Sequence, residues 1–148
     1  MASLSSINSK IGYYEGEIEE NKIKIKELEN DYNQLVSFKA KVESSQYSFA
    51  DGNRNKIRAL EAVSKYTQNN SHANRYYHRT KNGLSRTGDK LLNKGYGRLL
   101  DKIKKELNRI KNKVGDLESE NKKYAKKINN LKEDYRKEKE RLEEEAKK

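Results

Sequence analysis

Apolar residues recur at alternating spacings of three and four along the first third of the chain. One row runs from Ile7 to Phe49 in steps of seven, and a second row runs from Leu4 to Tyr32. Such rows are the a and d positions of a helix whose apolar seam faces one partner. The same pattern returns over residues 100–142. The chain therefore contains two long amphipathic helical stretches, one in each half.

Each seam contains one interior asparagine, Asn21 in the first and Asn121 in the second. A polar residue in an apolar seam sets the register at some cost in stability. If the two asparagines face each other in an antiparallel hairpin, the two residue numbers of every facing pair add up to 142. Every neighbouring pair is then apolar on both sides: Ile11 with Leu131, Ile18 with Tyr124, Ile25 with Leu117, Leu28 with Val114, Tyr32 with Ile110, and Leu35 with Leu107.

The midpoint of this register falls on a polar stretch, which is the strongest turn signal in the chain. We therefore predict an all-α fold: one long, antiparallel, coiled-coil-like helical hairpin in a single elongated domain spanning 1–148. The first arm covers 4–68, the turn covers 69–74, and the second arm covers 75–146.

The first arm carries a run of weak helix formers. Ser44 and Ser45 are followed by Asp51-Gly52-Asn53, which predicts a kink or short loop near 45–54. An alternative with three helices makes 54–68 a separate short helix. The pattern alone leaves both arrangements open.

Composition favours an extended helical protein over a globular enzyme. The chain has 148 residues, of which 32% are hydrophobic and 39% are charged, with no Pro and no Cys. A packed domain usually holds about 45–50% apolar residues. The two histidines, His72 and His78, have no cysteine and no nearby acid beside them. We therefore expect no enzymatic activity, no metal site and no cofactor.

Positive charge is concentrated in the middle of the chain. Residues 1–53 carry a net charge of −3, residues 54–113 carry +13, and residues 114–148 carry +1. Such a patch attracts a polyanion, either nucleic acid or an acidic protein surface. A basic coiled coil that binds RNA is therefore one functional hypothesis. Its candidate contacts are Arg75, Arg79, Arg98 and Lys102.

The same region holds more large apolar residues than one seam can bury. Adjacent leucines such as Leu91 and Leu92 cannot both face a single partner helix. Tyrosines beside arginines could stack on bases or join the leucines in a protein-binding patch. We favour a helical protein partner that contacts Tyr76, Tyr77, Leu84, Leu91, Leu92, Tyr96 and Leu99.

The opening Leu4-Ser5-Ser6-Ile7-Asn8-Ser9-Lys10-Ile11, with the heptads that continue through Leu35 and Phe38, resembles a known group. The chain looks like the small all-helical proteins encoded beside LXG-type polymorphic toxins in Gram-positive bacteria. These proteins form a distant branch of the WXG-like (ESAT-like) type VII secretion family. The resemblance covers size and layout over most of the chain.

This resemblance implies a non-enzymatic adaptor, or targeting chaperone, that binds the helical N-terminal LXG region of a cognate toxin. It also implies a route to the type VII apparatus, with a second small helical protein and the secretion ATPase as further partners. The start of the chain lacks the features of a signal peptide, and no apolar run reaches about 18 residues. We expect a cytoplasmic protein without membrane insertion, and export together with the toxin is an open alternative.

Overall fold

The structure, a computed structural model, describes residues 2–68 and 70–148. Over these residues it contains helices and no strand. The elements in chain order are α1 (Leu4–Thr67), α2 (Ser71–Asn82), a π-helical segment (Gly83–Gly88) and α3 (Asp89–Ala146). The all-α prediction is confirmed.

The chain divides into two compact units, and each is a pair of antiparallel helical stretches. Unit 1 combines the chain up to Asn33 with Asn108–Lys148, and unit 2 is Gln34–Leu107. In unit 1, Asn21 contacts Asn121, and the earlier Tyr14 contacts the later Tyr124. Contact partners that run in opposite directions along the chain show that the two stretches are antiparallel.

Unit 2 has the same antiparallel arrangement, with α1 on one side and the second arm on the other. Ser45 contacts Tyr96, and the later Glu61 contacts the earlier Lys81. The second arm bends through α2, the π-helical segment and the start of α3. The predicted helical hairpin is therefore confirmed within each unit.

The cores of both units lie along the helix seams. Ile7, Ile110 and Ile128 are buried in unit 1, and Val42 and Ile103 are buried in unit 2. The twelve residues of the six predicted seam pairs are all buried or half-buried. The apolar spacing therefore identified which residues face inward in the long helices.

The short loop predicted as one alternative near 45–54 is absent, because α1 continues through these residues without interruption. No proline removes a backbone donor there, and the single Gly52 costs only about 1 kcal/mol in a helix. The polar residues that suggested a loop instead make hydrogen bonds to the second arm. Ser45 contacts Tyr96, and Asn53 contacts Leu84.

The seam of α1 changes phase after Val42. The inward positions that follow are Gln46, Ala50 and Asn53, so two successive spacings of four replace the usual four and three. An insertion of four residues into a heptad pattern locally unwinds a coiled coil. Phe49, which continues the predicted seam row, is consequently 41% exposed.

The predicted turn at 69–74 is wrong for its later residues, because α2 already begins at Ser71. The side chain of Asn70 accepts hydrogen bonds from the backbone N–H groups of His72 and Ala73, both at 3.1 Å. The polar stretch therefore serves as a helix N-cap. Asn69 lies outside the described residues. The separate short helix is α2, whereas 54–67 belongs to α1.

The π-helical segment Gly83–Gly88 follows α2 directly. The buried Asn53 of α1 donates a hydrogen bond from its side-chain amide to the carbonyl oxygen of Leu84, at 2.7 Å. A π-helix is wider than an α-helix and is often found at functional positions. This contact ties the irregular segment to the middle of α1.

Candidate partner-binding surface

The residues predicted to bind a partner all lie in unit 2, but they differ widely in exposure. Tyr76 of α2 and Leu91 of α3 are well exposed. Leu84 and Tyr96 are half-buried. Leu92 and Leu99 are 36% and 37% exposed. These residues are therefore not equally available to a partner.

Tyr77 belongs to the core of unit 2, since only 8% of it is exposed. Its ring lies 5.1 Å from the His78 ring, and the Lys81 ammonium is 5.9 Å from its centroid. Lys81 in turn forms an ion pair with Glu61 of α1, at 3.0 Å. The hydrogen bond to the Glu61 carboxylate raises the pKa of Lys81. Lys81 thus attaches α2 to the end of α1, next to the buried Tyr77.

The hydroxyl groups of Ser45 and Tyr96 form a hydrogen bond of 2.9 Å at the surface of unit 2. Phe38 and Phe49 lie seven residues before and four residues after Ser45, on the same face of α1. Leu92 and Leu99 lie four before and three after Tyr96, and so border it on α3. The two phenylalanines and the two leucines therefore lie on the same side of the hairpin as this hydrogen bond.

We call the residues Phe38, Phe49, Leu92 and Leu99 the Phe–Leu surface. Each of the four is between 36% and 47% exposed. A groove lined by Ser48, Phe49, Gly52, Asn53 and Lys56 adjoins it on α1. The arrangement offers apolar side chains and an open groove on one side of unit 2.

Sequence reasoning missed the two phenylalanines of this surface. A strict seven-residue repeat places Phe49 in the seam, and Phe38 contributes only to the family resemblance. No signal in the sequence marks them, because the inward Ala50, which breaks the repeat after Gln46, is evident only in the structure. Once the seam moves to Ala50, Phe49 moves to its edge.

Leu91 lies on a different face of α3 from Leu92, because consecutive residues in a helix point about 100° apart. Its neighbours by helical spacing are Arg98 and Lys102, seven and eleven residues later. Helical geometry therefore separates Leu91 from the Phe–Leu surface and places it on the same face of α3 as Arg98 and Lys102.

The basic residues Arg75, Arg79, Arg98 and Lys102 are exposed, the first two on α2 and the last two on α3. None of the four forms an ion pair within the described part of the chain. Unit 2 holds 16 basic and 6 acidic residues, a net charge of +10, whereas unit 1 is close to neutral. The excess positive charge of the protein is therefore concentrated in unit 2.

A second polar cluster lies in the seam of unit 1. The side-chain amide of the buried Asn21 donates to Asn121 Oδ1 at 2.9 Å and to Glu120 Oε1 at 3.1 Å. The amide of Asn121 donates to the Ile18 carbonyl at 3.5 Å. The two asparagines therefore face each other across the hairpin. Their role in setting the register stays a prediction.

The neighbours of this amide pair have shifted acid–base properties. The hydrogen bond from Asn21, followed by one with Tyr124, lowers the pKa of Glu120. The interaction with the Glu120 carboxylate raises the pKa of Tyr124 to about 12. The Tyr124 ring packs 5.5 Å from the Tyr14 ring. Glu120 is therefore ionised and Tyr124 neutral at neutral pH, and Glu120 accepts a hydrogen bond across the hairpin from Asn21.

Among residues 2–68 and 70–148, no three His, Cys, Asp or Glu side chains are grouped so as to hold a metal ion. No helix in that part of the chain has an apolar stretch long enough to cross a bilayer. No protein-family model matches the sequence. Neither the curated proteins nor the solved structures contain a significant match to it.

Proposed function

We propose that this chain is a non-enzymatic adaptor that binds a helical protein partner through unit 2. The observation that supports this most strongly is the Phe–Leu surface, where four large apolar side chains are partly exposed on one side of the hairpin. Exposed apolar patches on proteins are typical of binding sites. Removing such area from water contributes about 25 cal/mol per Å².

The family resemblance suggests which partner this is. In this proposal the chain is a targeting chaperone for the helical N-terminal LXG region of a toxin and helps to direct that toxin to the type VII secretion apparatus. A second small helical protein and the secretion ATPase belong to the same assembly. The adaptor acts in the cytoplasm, before export.

The test is co-purification of the full chain with the LXG region of the toxin encoded beside it. We expect the double variant Leu92→Ser/Leu99→Ser to lose the complex, because both residues lie in the Phe–Leu surface. Leu91→Ser is the matched control, since Leu91 is more exposed but lies on another face. Retention of the complex by the double variant, or loss through Leu91→Ser alone, would contradict binding at this surface.

RNA binding is the second candidate function, and the net charge of +10 in unit 2 favours it. Exposed arginines and lysines bind phosphates regardless of sequence. In that case Arg75, Arg79, Arg98 and Lys102 carry the affinity, and the Phe–Leu surface contributes little.

A further inference from the structure

We infer that the Phe–Leu surface binds a single acidic amphipathic helix of the partner, which completes a three-helix bundle with α1 and α3 within unit 2. This inference rests on the proposed adaptor function and specifies the chemistry of the partner. It follows from the length of the surface, the groove beside it, the hydroxyl pair at its centre and the charge around it.

The length of the surface suits a short helix. Phe38 and Phe49 are eleven residues apart on α1, which corresponds to about 16 Å at 1.5 Å per residue. Leu92 and Leu99 cover about 10 Å on α3. A partner helix of about three turns spans both pairs. Its apolar residues would recur at the three- and four-residue spacing that helix packing requires.

The groove next to Phe49 can accept an apolar side chain of that helix. Gly52 forms part of its wall, and a Cβ atom added there would meet no atom within 4 Å. Because glycine has no side chain, there is room between Ser48 and Lys56, which lie one turn to either side of Gly52. Lys56 provides a positive charge at the edge of the groove.

The hydroxyl pair at the centre of the surface requires an acceptor. One hydroxyl of the Ser45–Tyr96 hydrogen bond donates and the other accepts, so the pair retains one O–H donor. Within the described residues these two side chains make no other hydrogen bond. Covering an unsatisfied donor with an apolar group is costly. A partner helix that covers this pair must therefore present an oxygen there, such as a carboxylate.

Charge also favours an acidic helix. Unit 2 carries a net charge of +10, so an acidic segment is attracted and a basic one is repelled. A second copy of this chain, docked by the same surface, would bring the same positive charge. Nucleic acid matches the charge, and its bases can stack on the two phenyl rings, but it gains little from Leu92 and Leu99. The acidic amphipathic helix satisfies every one of these requirements.

Site-specific photo-crosslinking in the full chain tests this inference. The crosslinking residue p-benzoylphenylalanine replaces Phe49 or Leu92 while the chain is co-expressed with the toxin's N-terminal LXG region. Tyr47 is the matched control position, because it is exposed and two residues from Phe49 but lies on the opposite side of α1. We expect crosslinks from 49 and 92 and none from 47. The captured segment should be helical, net negative, and carry an Asp or Glu among its apolar residues.

Binding measurements on variants give the second readout. We expect Phe49→Asp and Gly52→Gln each to weaken binding at least about 30-fold, the size of a hot-spot loss. Gly52→Gln blocks the groove while replacing glycine by a better helix former, so helicity measured by circular dichroism is retained. Tyr47→Asp is expected to leave the affinity within about twofold.

The outcomes separate this inference from the proposed function. If the complex forms but crosslinks come from Tyr47, or the captured segment is basic or not helical, the inference is wrong and the adaptor function stands. If the captured molecule is RNA or a second copy of this chain, the inference is likewise overturned. If the unmodified chain does not bind the LXG region, both proposals fail.

Discussion

At the scale of single residues, the Asn21–Asn121 pair illustrates how polar groups are placed in an apolar seam. Asn21 is 3% exposed, and both hydrogens of its side-chain amide have acceptors, in Asn121 and Glu120. An unpaired amide at such a position would cost about 1–3 kcal/mol of stability. The pair is therefore tolerated because the two stretches of unit 1 meet in this register.

This pairing predicts a non-additive double-mutant cycle. Asn21→Leu alone is expected to lower the free energy of unfolding by about 1–3 kcal/mol, because it removes a hydrogen-bond donor from Asn121 and Glu120. Asn21→Leu/Asn121→Leu should recover that loss, since two leucines pack together in a seam. Urea unfolding followed by circular dichroism measures both values. Additive losses in the double variant would show that the two amides do not depend on each other.

The tyrosines show how far a residue's surroundings follow from sequence. Tyr76 and Tyr77 are adjacent, and composition alone groups them as one aromatic patch. In the structure Tyr77 is buried and Tyr76 is exposed. The phase of α2 relative to α1 decides which of the two faces inward, and a twelve-residue helix gives too few repeats to reveal that phase.

At the scale of helices, the middle of α1 shows that polar residues do not always end a helix. Ser45, Gln46 and Asn53 make cross-arm hydrogen bonds, to Tyr96, Asn93 and Leu84 respectively. In isolation such residues favour turns because their side chains compete for backbone hydrogen bonds. Opposite a second helix they obtain partners without interrupting the backbone ladder.

The contact between Asn53 and the π-helical segment predicts a local effect of its removal. Asn53→Ala should speed amide hydrogen exchange in residues 83–88 and lower the free energy of unfolding by about 1–2 kcal/mol, because the Leu84 carbonyl loses a buried donor. Asn55→Ala is the control, since Asn55 is exposed on the same helix. Exchange that is unchanged in 83–88 would mean that the segment keeps its form without Asn53.

At the scale of the whole molecule, charge is distributed unevenly between two units of similar size. Unit 2 carries a net charge of +10 and also contains the Phe–Leu surface. A protein partner and RNA would use these two features differently. Apolar contacts determine how long a protein complex lasts, and charge mainly raises its association rate. Phosphate binding depends on charge throughout.

Salt dependence therefore separates the two functional candidates. For the adaptor, raising NaCl from 50 to 500 mM should slow association with the LXG region but change the dissociation rate little. Neutralising Arg75, Arg79, Arg98 and Lys102 with Gln should have the same kinetic effect. Surface plasmon resonance measures both rates. An affinity for single-stranded RNA that falls log-linearly with salt, and collapses in this variant, would instead favour the RNA-binding function.

The sequence by itself determined that the fold is all-α, which face of each long helix points inward, and that Asn21 faces Asn121 across the hairpin. It could do so because the apolar seam repeats over many turns, and the register that places the two asparagines opposite each other also keeps the six neighbouring pairs apolar. Only the tertiary structure decided that α1 is unbroken, that Asn70 caps a new helix and that Phe49 lies at the edge of the seam. These features depend on single cross-arm contacts and on a change of helical phase, and neither is repeated along the chain.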